Sequence, residues 1–200
     1  MDTRRFEMAR RFLALDFREY NGDPAKEARF FGVLPLCRGE VSGLRRERYL
    51  WGEVLVLSRD GRKQFFRFAH YTPSSQAARN ALLRYAFYQV LKNKGYRLKG
   101  RIGEVLVFHG PEGNMVFLAA KWGGYTPAGV RRVFASVSSY VYQAGGRFWF
   151  TPAKGRRYGK FLKANPVAEV IPAELVEEAE GLSEVLARGE VPSLVVRETR

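Results

Sequence analysis

Apolar residues recur three and four positions apart in several stretches of the chain, and this periodicity predicts amphipathic helices. The dipeptides Thr72-Pro73 and Thr126-Pro127 have the form of helix starts, because a hydroxyl side chain caps a helix and proline fits its first turn. Asn21-Gly22 and Lys94-Gly95 have the form of helix ends. The pattern predicts helices over residues 4–20, 75–91, 130–144 and 172–188, with a further start at residues 24–29.

Short apolar runs bounded by glycine and charged residues predict strands. Residues 53–57 and 65–69 flank a polar segment that contains Asp60-Gly61, a favoured dipeptide of tight turns. This pattern predicts a hairpin with a basic tip. A second hairpin is predicted at residues 103–120, and two short strands at 147–150 and 167–171. Residues 42–50 fit either a short helix or the entry to a strand.

A short repeat links the two predicted hairpins. Residues 52–56 and 103–107 both read GEVLV, and each run is followed by a second apolar run and then by a Thr-Pro helix start. The repeat predicts two copies of a strand–strand–helix unit, at residues 51–100 and 102–150. Coincidence is the alternative, because hairpins share a small vocabulary of residues.

The expected fold class is α+β, with two strand–strand–helix units forming a sheet on which helices pack. We expect an N-terminal helical segment at residues 1–50 and a basic core at 51–165. An acidic C-terminal helix and strand follow at 166–200.

Charge is distributed unevenly along the chain. The net charge is +14, but residues 61–163 carry 19 basic and only 2 acidic residues, whereas residues 164–200 carry 3 basic and 8 acidic ones. A solvated surface normally mixes both signs, because a field of one sign destabilises the compact state. The basic block therefore predicts a polyanionic partner, and nucleic acid is the most common one. An acidic protein surface is the alternative partner.

Several classes are disfavoured by the composition. Cys37 is the only cysteine, and no set of Cys and His residues has zinc spacing. With one cysteine and no disulfide framework, we expect a cytoplasmic protein. No apolar run approaches the roughly 18 residues of a spanning helix, so we expect no membrane partner. Few Asn, Gln, Met and Cys residues beside many Arg and Glu are typical of a thermophile. We expect neither a metal nor a cofactor.

The tip of the first predicted hairpin is one candidate for phosphate contact. It carries Arg59, Arg62 and Lys63, with Arg67 on the returning strand. Basic hairpin tips can reach phosphates and fix the position of a protein on DNA. An ordinary exposed turn is the alternative.

The helix after Pro73 is a second candidate. Gln76, Asn80, Arg84, Tyr88 and Lys92 follow each other at intervals of four and share one face. Gln, Asn and Arg can form bidentate contacts with purine edges, so this face could read a major groove. A plain solvated face is the alternative. The continuation around Tyr96 is predicted to track phosphates through Lys92, Lys94, Arg97, Lys99 and Arg101.

A third candidate interleaves cations with aromatic residues. Tyr158 and Phe161 could stack on bases, or they could be the buried side of a helix. The predicted phosphate contacts of this segment, with two cations of the second repeat helix, are Lys154, Arg156, Arg157, Lys160, Lys163, Arg131 and Arg132.

Catalysis has little support in the sequence. His70 and His109 have no visible triad partner, and no phosphate-binding glycine loop is present. Metal-dependent nucleases of the restriction type place an acid on one strand and an acid-x-lysine sequence on the next. Glu104 and Lys121 fit that pattern, but Ala119 stands where the second acid is needed. We therefore predict no catalytic residue.

Residues 75–165 resemble the replication-relaxation family of plasmid and mobile-element proteins. The likeness lies in the helix at 75–91, the hairpin at 103–121, the helix at 130–143 and the strand exit FWFTP at 148–152. The resemblance implies a DNA-binding part joined to a domain like a degenerate nuclease. It also implies a role in replication, transfer or transcription control of a mobile element or phage.

The sequence as a whole predicts a nucleic-acid-binding protein, most readily of double-stranded DNA. A module that docks on an acidic surface of a larger machine, such as a polymerase, is the first alternative. Exposed Trp51, Trp122 or Trp149 would favour that alternative, because tryptophan often anchors protein interfaces. A metal-dependent nuclease is the second.

Overall fold

A computed structural model of the chain describes residues 15–16, 22–39, 41–67 and 71–190. The chain divides into two compact units. We call residues 1–18 with 87–176 the sheet unit, and residues 19–86 with 177–200 the hairpin unit. Helices occur beside two separate sheets, so the predicted α+β class is confirmed.

The helices and strands of the described residues alternate along the chain. In order, they are β1 (Leu15–Asp16), α1 (Pro24–Phe31), β2 (Leu44–Tyr49), β3 (Gly52–Leu57), α2 (Arg59–Lys63), α3 (Ser75–Asn93), β4 (Arg97–Ile102), β5 (Val105–His109), β6 (Met115–Ala119), α4 (Pro127–Ala144), β7 (Arg147–Phe150), α5 (Gly159–Ala164), β8 (Ala168–Val170) and α6 (Ala173–Ala187). A short 3-10 helix covers Leu36–Arg38.

The sheet unit is built on a mixed sheet with the strand order β1-β4-β5-β6-β7-β8. The pairs from β1 to β6 are antiparallel, whereas β6, β7 and β8 run parallel. α4 crosses from β6 to β7, as a parallel connection requires. Its apolar side packs on alternate residues of the central strands, among them Val107, Phe117 and Phe148. The neighbouring residues Leu106 and Leu118 point to the opposite face and are also buried, so both faces of the central strands are covered.

The hairpin unit is built on the antiparallel pair β2 and β3. An isolated bridge from Leu34 to Leu55 adds the chain segment after α1 to this pair. The core includes Phe30 and Phe31 of α1, and the Phe31 ring meets that of Tyr85 edge-on at 5.1 Å.

The ends of the main helices follow their local sequence. Asp23 caps α1 through its side chain, which accepts a hydrogen bond from the amide of Ala25 at 2.9 Å. Thr126 caps α4 by accepting from the amide of Gly129 at 3.1 Å, and Gly145 ends that helix in the left-handed conformation. These are the residue types that such positions favour.

Most of the predicted elements are confirmed, with ends that differ by a few residues. They are the helices at 24–29, 75–91, 130–144 and 172–188, the hairpin strands around residues 110–114, and the strands at 147–150 and 167–171. The ambiguous segment at 42–50 is a strand, β2.

The first predicted hairpin is wrong. Residues 59–63 form the short helix α2, and β3 pairs with β2 instead of residues 65–69. Ser58 caps the helix by accepting from the amide of Gly61 at 3.1 Å, which replaces the expected Asp-Gly turn. Residues 65–67 have no strand pairing, and residues 68–70 lie outside the described part of the chain.

The predicted helix at 4–20 lies outside the described residues except at Leu15 and Asp16. These two residues form strand β1 on the edge of β4, so the helix prediction is wrong there. The first GEVLV run lies within β3 and the second spans the turn before β5 and the start of that strand, so both fall on the second strand of an antiparallel pair. Those pairs belong to different sheets. The repeat itself stays a prediction. No helix in the described ranges is long and apolar enough to cross a membrane.

We predict that Gly124→Ala destabilises the protein by about 3 kcal/mol or more, measured by urea unfolding. Gly124 has a positive φ of 79°, and an added Cβ would overlap the backbone at Pro152. Gly123 has a similar φ of 76° but open space around it, so Gly123→Ala is the matched control. The control carries only the cost of left-handed backbone, about 1 to 2 kcal/mol. Equal losses in the two variants would contradict the close approach at Pro152.

Candidate nucleic-acid interface

Two loops meet at the carboxyl ends of the parallel strands β6 and β7. The amide of Tyr125 donates to the carbonyl of Thr151 at 2.9 Å, and the amide of Ala153 donates back to the carbonyl of Tyr125 at 3.3 Å. The Thr151 hydroxyl accepts from the amide of Lys121 at 3.0 Å. Ligands of open α/β sheets usually bind at this end of the strands. The loops are therefore a natural place for a binding surface.

The aromatic residues of the segment after β7 are anchors. The hydroxyl of Tyr158 donates to the carbonyl of Tyr125 and accepts from the amide of Ala153 at 2.8 Å. The ring of Phe161 meets that of Phe134 on α4 edge-on at 5.6 Å. Tyr158 and Phe161 are both buried, so the prediction that they stack on bases is wrong. The alternative of a buried helix side is confirmed for Phe161 on α5, whereas Tyr158 precedes that helix at its N-cap.

The cations of the same region point to solvent. We call seven of them the carboxyl-end surface. All seven are exposed, and no described residue forms an ion pair with any of them. They are Arg131, Arg132, Lys154, Arg156, Arg157, Lys160 and Lys163. Arg131 and Arg132 lie on α4, and the other five lie between β7 and the end of α5. The loop contacts at Tyr125 and the contact between Phe161 and Phe134 hold these two parts of the chain together.

Backbone electrostatics adds to this positive surface. α4 begins immediately after the loop at Tyr125 and has no acidic residue in its first turn. The N-terminus of a helix carries partial positive charge, which favours nearby anions. Glu104 is a carboxylate of the same end, and its Oε2 accepts from the hydroxyl of Tyr125 at 3.0 Å. This hydrogen bond fixes the Glu104 carboxylate beside the loop that contains Tyr125.

The pattern of a nuclease is incomplete at this site. The register pairs Val105 with Ala119, so Glu104 and Ala119 lie at the same end of the sheet. Glu104 is in the turn before β5, however, and not on a strand as the pattern requires. Ala119 is buried and supplies no ligand. In the described ranges no three His, Cys, Asp or Glu side chains are placed to hold a metal ion.

A second group of predicted cations lies at the opposite end of the sheet. Arg97 pairs with His109 across β4 and β5, and His109 pairs with Met115 at the start of β6. Lys99 falls in a β-bulge between Leu98 and Gly100. Lys92 and Lys94 are exposed at the end of α3. Arg97 is separated from the carboxyl end of β6 by about the length of that strand, roughly 15 Å. Arg101 is half-buried and faces Leu106, which pairs with Leu118 near the end of β6, so Arg101 lies toward the carboxyl end of the sheet instead.

The contact with Arg97 sets the protonation state of His109. Its Nη2 lies 3.1 Å from Nδ1 of His109. A guanidinium can only donate, so this ring nitrogen accepts and the histidine is neutral. Burial lowers the pKa of His109, and the positive charges of Arg97 and Lys99 lower it further.

The remaining predicted contacts belong to the hairpin unit. Arg59, Arg62 and Lys63 lie on α2, where Lys63 forms an ion pair with Asp60 at 3.4 Å. Arg67 is exposed after that helix. The guanidinium of Arg62 lies over the ring of Phe66, 4.5 Å from its centroid. The sequence pattern did not indicate this aromatic contact, because it assigned residues 65–69 to a strand.

The polar face of α3 is only partly open. Gln76 donates to Oδ1 of Asn80 at 3.1 Å, so the two amides bind each other. Asn80, Arg84 and Tyr88 are half-buried, and Nε of Arg84 is inaccessible to solvent. Gln76 and Lys92 at the two ends of the face are exposed.

The three tryptophans are half-buried. Trp51 stacks on Tyr49 at 5.2 Å and donates to the hydroxyl of Ser75 at 3.0 Å. Trp149 donates to Glu169 at 3.0 Å. Leu50 is fully exposed between β2 and β3, beside an open groove of about 370 Å³.

Comparisons with protein families, curated proteins and solved structures find no match for this chain. The resemblance to the replication-relaxation family therefore stays a prediction. Function is accordingly inferred from the geometry and charge of the chain itself.

We predict that folding stability falls as the pH is lowered from 7.5 to 5.5. The unfolded histidine takes up a proton near pH 6.5, whereas folded His109 takes it up only at lower pH because its pKa is lowered. The contribution of His109 is therefore complete above about pH 6.5 and is lost as the pH falls through the folded pKa. Urea unfolding at the two pH values measures the loss.

His109→Gln should reduce this pH dependence, because glutamine can accept from Arg97 and does not titrate. His70→Gln, which removes the other histidine of the sequence, is the comparison variant. A pH dependence unchanged by His109→Gln would contradict the assignment.

Proposed function

We propose that this protein binds nucleic acid through the carboxyl-end surface, with double-stranded DNA as the expected ligand. The observation that carries the proposal is the set of seven exposed cations that have no ion-pair partner among the described residues. Residues 87–176, the larger segment of the sheet unit, contain 14 basic and 4 acidic residues. A polyanion would supply the missing negative charge.

Several other arginines of the described chain are matched with carboxylates. Arg48 pairs with Glu53, Arg147 pairs with Glu169, and Arg188 pairs with Glu190 at 3.0 Å. The chain thus neutralises cations internally at several exposed positions. The lack of such pairs on the carboxyl-end surface supports a role in binding an external anion.

Phosphate neutralisation would be the first step of binding. Arg156 and Arg157 can each hold a phosphate through two parallel N–H bonds, whereas Lys160 and Lys163 act as point charges. The buried Tyr158 and Phe161 fix the chain from which these cations project. A fixed surface loses less conformational entropy on binding than a free basic tail. Such contacts position a duplex without reading its sequence.

A cellular setting follows only from the resemblance. A cytoplasmic role in replication, transfer or transcription control of a mobile element or phage is part of this proposal. An acidic protein surface would use the same cations, and the binding experiment separates the two.

We predict that Arg156→Gln/Arg157→Gln weakens binding to unrelated duplex sequences equally. Fluorescence anisotropy with labelled duplex DNA, single-stranded DNA and RNA over a salt series measures the effect. The slope of log affinity against log salt should decrease in magnitude by about 2, because each phosphate contact contributes about 0.9. A chain that binds none of the three at low salt would overturn the proposal and favour the acidic protein partner.

The matched control is Arg48→Gln/Arg188→Gln, which removes the same charge from two arginines that already pair with carboxylates. We expect this variant to keep the wild-type slope. Equal effects from the two variants would show that net charge alone drives binding, with no defined surface.

A further inference from the structure

Four side chains of the hairpin unit form a cluster of aromatic rings and guanidinium groups. The Cζ atom of Arg62 lies 4.5 Å from the ring centroid of Phe66 and 4.7 Å from that of Tyr71. The Cζ atom of Arg29 lies 5.8 Å from the centroid of Phe66. These are distances at which a cation is attracted to a ring face. Arg62 therefore contacts two rings, and both come from the segment between α2 and α3.

The two rings are unusually open to solvent. Phe66 is 41% exposed and Tyr71 is 54% exposed. Most aromatic side chains of the described residues are buried or half-buried, and Tyr142 is another exposed ring. Phe66 and Tyr71 thus keep accessible surface although the cation contacts hold them in place. A ring that is already ordered loses little entropy when a ligand stacks on it.

Positive charge surrounds this pair of rings. Arg67 follows Phe66 directly and is exposed, and Arg59 precedes Arg62 by three positions on α2. Residues three apart on a helix are neighbours on its surface. Residues 59–67 carry four basic residues and one acidic residue, Asp60, which pairs with Lys63. Arg62 covers part of each ring, so the patch combines partly exposed aromatic rings with exposed cations.

We propose that Phe66 and Tyr71 form a stacking site for unpaired bases of a single-stranded nucleic acid. Each base presents a flat face to a ring, and Arg59 and Arg67 contact the flanking phosphates. Proteins that hold single strands without sequence preference combine these two features. The bases of an intact duplex have their faces covered by neighbouring bases, so this site takes single strands, bulges or ends.

An acidic peptide is a less suitable ligand for the patch. Its carboxylates would bind the arginines but would leave the ring faces unused. The inference shares with the proposed function only the class of ligand. Its residues lie in the hairpin unit, whereas the carboxyl-end surface lies in the sheet unit.

The test compares an oligothymidylate with an abasic strand of the same length. Both ligands carry the same phosphates, but only the first has bases. We expect the wild type to bind the oligothymidylate about tenfold or more tightly, because one stacked base contributes on the order of a tenfold gain. Tyr71→Ala should reduce this ratio about tenfold, and Tyr71→Phe should keep it. Anisotropy at fixed low salt provides the measurement.

Tyr142→Ala is the matched control, because Tyr142 has the same exposed fraction of 54% in the sheet unit. It should leave the ratio unchanged. Equal binding of the two ligands by the wild type would overturn the stacking site, as would equal losses in Tyr71→Ala and Tyr142→Ala. Tighter binding of an acidic peptide than of the oligothymidylate would also overturn it.

The Arg156→Gln/Arg157→Gln variant separates this inference from the proposed function. If it loses duplex binding but keeps the preference for bases, both assignments hold. If it leaves duplex binding unchanged while Tyr71→Ala removes the base preference, the proposed function fails and the stacking site stands.

Discussion

The hydrogen bonds around Tyr125 are the constraint on which the candidate interface depends. The backbone of this residue joins the loop after β6 to the loop after β7, and its carbonyl also accepts from the buried hydroxyl of Tyr158. A buried polar group without a partner is costly, so Tyr158 has few alternative positions. The basic segment after β7 is consequently fixed to the end of the sheet. The aromatic residues of this segment are buried against the sheet unit, and the cations between them are therefore left facing solvent.

This arrangement concentrates charge where the backbone is already electropositive. The first turn of α4 adds its partial positive charge to Arg131 and Arg132, and no carboxylate of that turn offsets it. Repulsion among such cations destabilises the folded state unless an anion is bound. The apolar contacts of Phe134, Phe148 and Phe161 compensate for that repulsion within the core of the sheet unit. Burial and charge thus act on opposite sides of the same short segment.

The sequence predicted the elements whose signal is local. The Thr126-Pro127 start and the Gly145 end of α4 satisfy the helix backbone directly, so periodicity and caps were sufficient there. The interval of three between Tyr158 and Phe161 likewise left burial open as an alternative, and the structure confirms it. The carboxyl-end surface could be predicted as a set of cations, but the loop contacts that assemble it are long-range.

The errors have tertiary causes. Asp60-Gly61 is a good turn dipeptide, yet Ser58 caps a helix at that point and Gly61 packs where a Cβ would overlap the backbone of Gly43. Strand β4 is not among the predicted strands. It carries Arg97, Lys99 and Gly100, which hide an apolar alternation, and its bulge disrupts the period further. The contacts of Arg62 need Tyr71, and no spacing rule joins those residues. The two basic surfaces therefore differ in one physical respect. Tyr158 and Phe161 of the first are buried, whereas Phe66 and Tyr71 of the second remain partly exposed. This difference is why the ligand we propose for the first is phosphate alone and the one we propose for the second is phosphate with unpaired bases.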